Sequence, residues 1–326
     1  NAATTQVDER VVKEMLPYFS KKYGNASSVH SLGEEALKAL EDSRKIIAKS
    51  INAKPKEIIF TSGGAEGNNF ALKGLFFSNK EKDKNHIVTS KIEHSSILET
   101  CKWLEKLGAR ATYLNVDNDG FIDLNELRKN IGKNTLVVSI IHGNNEIGVL
   151  QDLAALGKKC REKNVLFHVD ACQSYMKEKI DVVKSNIDLL TLNAHKIHGP
   201  KGIGALYIKE DLVLEPLFHG GSHEFGKRSG TVNISGVVGF AEAVKIFNNS
   251  ELKKMEQLRN KLIRELLNKI PELKLNGSRD KRLVNNVNVY IKGVEGETLA
   301  GYLDSKGICV STGATCSENS NEVSHV

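Results

Sequence analysis

Val165-Leu166-Phe167-His168-Val169-Asp170 and Asp188-Leu189-Leu190-Thr191-Leu192 are nearly continuous apolar runs, and each leads into residues able to do chemistry. A strand with one wet face alternates apolar and polar residues; a strand covered on both faces does not. Four more runs share this character: Glu57 to Thr61, His86 to Ser90, Thr135 to Ile141 and Gly204 to Ile208. Helix-length amphipathic segments such as Ser95 to Leu107 and Leu153 to Lys163 lie between them. Strands alternating with helices predict an α/β fold with a mostly parallel sheet. Ligands in such folds gather at the carboxyl ends of the strands.

The pattern changes after Asn249. Leu252, Met255, Leu258, Leu262 and Leu266 mark one apolar helix face over Glu251 to Lys269, and Pro271 follows as a stop signal. Strand-like Asn285 to Ile291, helical Gly296 to Leu303 and short Ile308-Cys309-Val310 complete a βαβ-like unit, read as a second, smaller domain.

The 326 residues are 40% hydrophobic and 26% charged, as in ordinary globular proteins. No stretch approaches the roughly 20 apolar residues that span a bilayer. Asn1 to Pro17 is polar and periodic, unlike a signal peptide, so the expectation is a cytoplasmic enzyme that binds no membrane. The formal charge of +6 is dispersed, as in Lys80-Glu81-Lys82-Asp83-Lys84, which argues against nucleic-acid binding. Five cysteines without a CxxC pair argue against both a disulfide framework and a zinc ribbon.

Four segments carry candidate chemistry. Thr61-Ser62-Gly63-Gly64-Ala65-Glu66-Gly67-Asn68-Asn69 follows a strand and opens a helix, so its backbone N–H groups can meet an anion; an ordinary glycine turn reads the same way. Asp170 ends a strand, either as a helix cap or as the partner of a buried cation such as a protonated pyridine nitrogen. Lys196, in Asn193-Ala194-His195-Lys196-Ile197-His198-Gly199, is a surface lysine or an amine tuned for a Schiff base. His195 and His198 do not form an HExxH metal site, and no metal is expected. Cys316 lies among small polar residues, Thr312 to Asn321, where packing explains a thiol poorly and chemistry explains it better. Cys309, between Ile308 and Val310, is expected in the core.

Taken in order, the glycine turn, Glu93-His94, Gly143-Asn144-Asn145-Glu146-Ile147-Gly148, Asp170 with Gln173, Ala194-His195-Lys196, Arg228-Ser229-Gly230-Thr231 and Cys316 resemble the NifS/IscS-type cysteine desulfurases from Ala2 to Val326. That resemblance implies a pyridoxal-phosphate enzyme of the aspartate-aminotransferase fold (fold type I). Its large domain, residues 11–249, would hold a mostly parallel seven-stranded sheet. A smaller α/β domain would comprise residues 1–10 and 250–326 and carry the catalytic-cysteine loop.

The resemblance makes Lys196 the Schiff-base lysine, Asp170 the partner of the pyridine nitrogen, and Gln173 the donor to the ring hydroxyl. His94 corresponds to the histidine stacked on the ring, and Asn145 to the asparagine beside ring and substrate. Gly64, Ala65, Asn193 and His195 correspond to phosphate-binding positions. Thr231 corresponds to a residue reaching the phosphate in the second subunit of a homodimer, and Cys316 to the persulfide-forming cysteine. L-Cysteine would yield L-alanine, with sulfur passed from Cys316 to an acceptor protein such as an iron–sulfur scaffold.

Three positions depart from the family pattern: Ala65 replaces a threonine, Asn193 stands where serine is common, and Ala26 replaces the proline of Gly-Asn-Pro-Ser-Ser. An arginine for the substrate carboxylate is expected beyond Ser324-His325-Val326. An aminotransferase or selenocysteine lyase on the same cofactor would need no exposed sulfur-accepting cysteine. A scaffold that had lost the cofactor would not need Lys196, Asp170, Gln173 and His94 together.

Overall fold

The computed structural model describes residues 2–79, 84–313 and 324–326. Runs that are apolar at consecutive positions need cover on both faces, and they obtain it. Every residue of β1 (Ile58–Thr61), β2 (His86–Ser90) and β4 (Thr135–Ile141) is buried, while the strand between the last two, β3 (Arg110–Leu114), is largely half-exposed. β5 (Leu166–Asp170), β6 (Leu189–Asn193) and β7 (Gly204–Ile208) are again buried almost throughout.

These seven strands form one sheet in the order β1-β7-β6-β5-β4-β2-β3. β2 to β6 pair in parallel, and β7 runs antiparallel to both of its neighbours. Val138, Ile140, Val169, Leu190 and Leu192 enter one hydrophobic cluster with the helices Ser31–Ser50 and Ile234–Ile246. Ile87, Val137, Leu189 and Leu206 enter a second with the helices Gly64–Ser78 and Ser95–Glu105. Helices therefore lie on both faces, and the mostly parallel seven-stranded arrangement is the one anticipated. Asp170 pairs in register with Ile141 on one side and Thr191 on the other, which places the carboxyl ends of β4, β5 and β6 side by side.

All six apolar runs became strands. The additional strand, β3, lies at the sheet edge, where Arg110, Ala111, Thr112 and Tyr113 stay partly exposed. An edge strand covered less completely shows no continuous apolar run.

In the last part of the chain, Asn249–Lys269 is helical and β8 (Leu273–Leu275) pairs antiparallel with β9 (Val289–Ile291), before the helix Gly296–Asp304. Two expectations fail here. Only the last three residues of Asn285 to Ile291 form a strand, and Ile308-Cys309-Val310 forms none, so the βαβ-like unit is not completed among the described residues. Cys309 is exposed rather than in the core, with Ile308 52% and Val310 49% accessible. Three apolar residues in a row were read as a buried strand, but the two-stranded sheet does not take this run up, and without pairing it stays uncovered. Among the described residues, no helix is long and apolar enough to cross a membrane.

Candidate active site

The carboxyl ends of the parallel strands deliver most of the singled-out residues to one edge. Asp170 ends β5, Asn193 ends β6, and Lys196 lies in the turn that follows. His94 comes after β2, Asn145 after β4, and the glycine turn after β1. The turn fits because Gly204 of antiparallel β7 has no side chain; a Cβ there would lie 2.8 Å from the Gly63 Cα and 2.6 Å from the Leu192 carbonyl oxygen. Gly64 opens the helix Gly64–Ser78 with no side chain capping it, and a Cβ on Gly64 would lie 2.4 Å from Cys172 Sγ.

Asp170 is buried, and its carboxyl oxygens are held by neutral donors. Asn68 Nδ2 donates to Oδ2 at 2.7 Å, and the Cys172 backbone N–H donates to Oδ1 at 2.9 Å. Asn68 Nδ2 also donates to Ser96 Oγ at 2.9 Å, and Ser96 Oγ lies 2.8 Å from His94 Nδ1. A hydrogen-bonded chain thus runs from Asp170 to His94. Asn68 belongs to the glycine-turn segment but has no role assigned from sequence, and Ser96 is not singled out there. The available signal was a buried asparagine one turn beyond the glycines, just before apolar Phe70-Ala71-Leu72.

His94 caps the helix Ser95–Glu105, its Nδ1 accepting the Ser96 backbone N–H at 3.1 Å. An accepting Nδ1 leaves the ring proton on Nε2. Burial pushes the His94 pKa down against the opposing pull of Asp170, so the ring is neutral. Its neighbour Glu93 is fully buried, and burial raises its carboxyl to about 8. Ser90 Oγ donates to Glu93 Oε1 at 2.5 Å, while Oε2 has no partner.

Lys196 Nζ donates to the Ala2 carbonyl at 2.8 Å, and Gln173 Nε2 donates to the same oxygen at 3.0 Å. Residues 2–5 run along the lysine turn: Thr4 Oγ1 lies 3.1 Å from His195 Nδ1, and Thr5 donates its N–H and hydroxyl to the His195 carbonyl. Burial, then Lys196, lowers the His195 pKa to about 4, which keeps that imidazole neutral. Lys177 is buried behind this turn, its Nζ donating to the Gln173 carbonyl at 2.8 Å; burial, then Lys196, lowers its pKa to about 7.

Asn145 is half-buried in a turn fixed by Asn144, whose Oδ1 accepts the N–H groups of Glu146 and Ile147 at 2.9 Å each. Thr231 is exposed, beyond the Arg228 that pairs with Glu66 at 3.0 Å. Cys316 lies outside the described residues. Burial pushes the thiols of Cys101 and Cys160 up to about 12 and that of Cys172 well above the ordinary value, so none of these is a thiolate at neutral pH.

The residues fit pyridoxal phosphate. A buried carboxylate at the sheet edge suits a protonated ring nitrogen. An amine and an amide converging on one oxygen suit a ring hydroxyl. The buried Asn193 Oδ1 without a partner, beside an uncapped helix start, marks a polar site still lacking its complement. Among the described residues no group of three His, Cys, Asp or Glu could hold a metal ion.

The family model for aminotransferase class-V matches residues 1–326. The chain belongs to this class-V aminotransferase family. A relative in Dictyoglomus turgidum named cysteine desulfurase IscS is 45% identical over 328 residues, covering 100% of this chain and 83% of its own length. One of the same name in Methanosarcina thermophila is 45% identical over 329 residues, covering 100% of this chain and 81% of its own. Among solved structures, a NifS-like protein superposes with a TM-score of 0.91 at 39% identity, over 95% of this chain and 86% of that one. A structure titled SspA in complex with cysteine gives 0.89 at 37% identity, over 99% and 91%. This class-V member therefore shares its fold with a NifS-like protein and 45% of its sequence with relatives that carry a desulfurase name.

Proposed function

We propose that this chain is a pyridoxal-phosphate-dependent cysteine desulfurase, which takes sulfur from L-cysteine, releases L-alanine and hands the sulfur on from Cys316. The observation that carries the reading is the convergence of Lys196 and Gln173 on one oxygen, beside buried Asp170, in a chain 45% identical to cysteine desulfurases. When bound, the cofactor supplies an electron sink for bond breaking at the substrate α-carbon.

The chain's own residues do the rest. Asp170 holds the ring nitrogen, Gln173 the ring hydroxyl, and the start of the helix Gly64–Ser78, with Asn193 and His195, the phosphate. Lys196 would hold the cofactor, and its Nζ would move the substrate α-proton. Neutral His94 offers its Nε2 proton, with Nδ1 fixed by Ser96. Asn145 orients the substrate. The Cys316 thiolate attacks the substrate sulfur, the sulfur–carbon bond breaks, and the persulfide stays on Cys316 while the protonated three-carbon product leaves as alanine.

The sulfur acceptor in this reading is a protein such as an iron–sulfur scaffold, and the enzyme works in the cytoplasm. A homodimer completed by Thr231 is part of the same proposal. Leu16, Phe19, Tyr23 and Val29 stand 59–97% exposed within one short stretch, which supports a second copy as their cover. The division into a large unit (11–249) and a smaller one (1–10 with 250–326) is likewise proposed, supported by the separate β8–β9 sheet; the bonds of residues 2–5 to the lysine turn draw the chain start toward the larger unit.

The deciding experiment supplies L-cysteine and a thiol reductant, which releases the persulfide sulfur as sulfide, to the protein loaded with pyridoxal phosphate and measures sulfide and alanine together. Equal yields of both are expected. Alanine without released or bound sulfur, or no turnover of cysteine, overturns the reading.

A further inference from the structure

The turn that bears Asn145 is gripped from outside by one segment of the later chain. Three successive carbonyls are taken. That of Glu146 accepts Asn286 Nδ2 at 2.7 Å and Asn288 Nδ2 at 3.1 Å, that of Ile147 accepts Arg282 Nη2 at 2.7 Å, and that of Gly148 accepts the Leu283 N–H at 2.8 Å. The Leu150 N–H donates to the Lys281 carbonyl at 3.0 Å and extends the seam. Gly148 has a φ of 75°, and a Cβ there would lie 2.5 Å from Asn286 Oδ1, so the grip closes only on a glycine.

Arg282 is the unusual member. It is 2% exposed, and its Nη2 donates to three neutral oxygens: the Ile147 carbonyl, the Asn276 carbonyl at 3.0 Å and Asn286 Oδ1 at 3.1 Å. Among the described residues, its Nε and Nη1 have no partner. Burial, then Arg259, lowers its pKa to about 10, so it stays charged at neutral pH. A buried charge without a counter-ion costs stability, and an apolar side chain of similar volume would serve packing as well. What a guanidinium adds is a planar fork that holds oxygens at set angles. Here it joins the Asn145 turn to the residue after β8 and to Asn286. Arg259 braces the same segment from the helix Asn249–Lys269, its Nη1 donating to the carbonyls of Arg282 at 2.9 Å and Leu283 at 3.2 Å.

We propose that Arg282 and Asn286 are positioning residues for Asn145: by fixing the carbonyls of Glu146 and Ile147, they hold the Asn145 amide at the substrate edge while touching neither substrate nor cofactor. This rests on the reading of Asn145 as the residue that orients the substrate. The segment 281–288 thereby sets a turn that β4 alone would leave free to shift, and small displacements at a reacting centre are expensive.

The test is a double-variant cycle. Arg282→Met keeps the length of the side chain and removes the fork; Asn286→Ala keeps the guanidinium and removes one donor to Glu146, which covers the case of a poorly folding first variant. Each is made alone and together with Asn145→Ala. In the wild-type background, kcat/KM for L-cysteine should fall about tenfold for Arg282→Met and about threefold for Asn286→Ala. On top of Asn145→Ala, each should cost less than about twofold, because the residue they act through is gone. In cofactor-free protein, amide hydrogen exchange over residues 143–150 should quicken by about tenfold in Arg282→Met and about threefold in Asn286→Ala, while exchange over β5 stays within about twofold of wild type. Equal losses of kcat/KM in both backgrounds, or exchange that quickens in β5 as much as in the turn, would mean that the two side chains only hold the fold together, and overturns the proposal. Unchanged exchange in the turn overturns the grip itself. Asn145→Ala that turns over cysteine as fast as wild type overturns the role given to Asn145 and the proposal with it. A wild type that turns over no cysteine, with exchange in the variants as expected, overturns the desulfurase reading instead and leaves the grip on the turn standing.

Discussion

Arg44 and Glu224, 180 residues apart, meet as a two-pronged buried ion pair, with Nη1 to Oε2 and Nη2 to Oε1 both at 2.8 Å. Their side chains are 2% and 1% exposed. Arg44 Nη1 also donates to the Ile58 carbonyl, and Glu224 Oε2 accepts the Phe60 N–H, so the pair ties the helix Ser31–Ser50 and β1 to the loop leading to Arg228 and Thr231. Glu224 and Phe225 have φ of 47° and 57°, a left-handed stretch that this anchoring holds in place. Removing one partner leaves a buried charge without its two-pronged counter-ion, Arg44 keeping only the more exposed Glu41 at 3.1 Å. Arg44→Leu and Glu224→Leu should each cost about 3–5 kcal/mol in urea unfolding, and the double variant much less than their sum. Additive costs would show that the two side chains contribute separately.

Lys196 is expected to carry the cofactor. Borohydride reduction followed by peptide mapping should find pyridoxal phosphate fixed there and not on Lys177, the other amine buried nearby. Lys196→Ala should lose all turnover, because cofactor attachment and proton movement both depend on that amine. An adduct on Lys177 would reassign the role.

Glu93 gives a pH dependence of definite sign. Its folded pKa, about 8, lies above the ordinary carboxylate value of 4.5, so the folded state holds the proton more tightly than the unfolded chain. Stability from this group is full below the unfolded pKa and is lost as pH rises toward 8. Glu93→Gln removes that loss. In urea unfolding, the variant should gain on wild type by up to about 3.5 kcal/mol between pH 5 and pH 8, each pKa unit being worth about 1.4 kcal/mol. A constant difference across that range would mean that Glu93 does not titrate within it.

Cys316→Ser should bind pyridoxal phosphate normally yet carry no persulfide, since a hydroxyl stays protonated and attacks sulfur poorly. Cys309→Ser, at an exposed position, should change stability by no more than about 0.5 kcal/mol and leave turnover intact. Extra sulfur appearing on Cys309 or Cys172 after brief exposure to cysteine would move the nucleophile elsewhere.

Much of the fold was legible because strands covered on both faces leave a strong trace. Val137-Val138-Ser139-Ile140-Ile141 has few other readings, whereas edge strand β3, with Arg110 in water and Ala111 and Thr112 half-covered, leaves almost none. Cys309 shows the converse failure: a short apolar run says nothing about whether a partner strand will accept it. At the site, strand-end Asp170 and Lys196 could be read locally, since each stands where a strand meets a turn, whereas His94 was reached through the family resemblance. Asn68, Ser96 and the Ala2 carbonyl could not, because their roles arise from meetings between segments far apart in sequence. The Ser324–Glu146 contact, across 178 positions, has no local signature at all.

The pairing of Asp170 with Thr191 between β5 and β6 bears on how this scaffold tolerates change. Side chains alternate across a sheet, so deleting one residue inside β5 would turn Asp170 to the opposite face and bring an apolar residue to the cofactor edge. The connection between the two strands, residues 171–188, is held by packing instead of register: Tyr175, Ile180, Val182 and Ile187 are buried in the core, and the Val182 N–H donates to the Ile51 carbonyl. For anyone grafting a different acceptor-docking loop onto this enzyme, the strand interiors and the buried connection between β5 and β6 are therefore both forbidden ground.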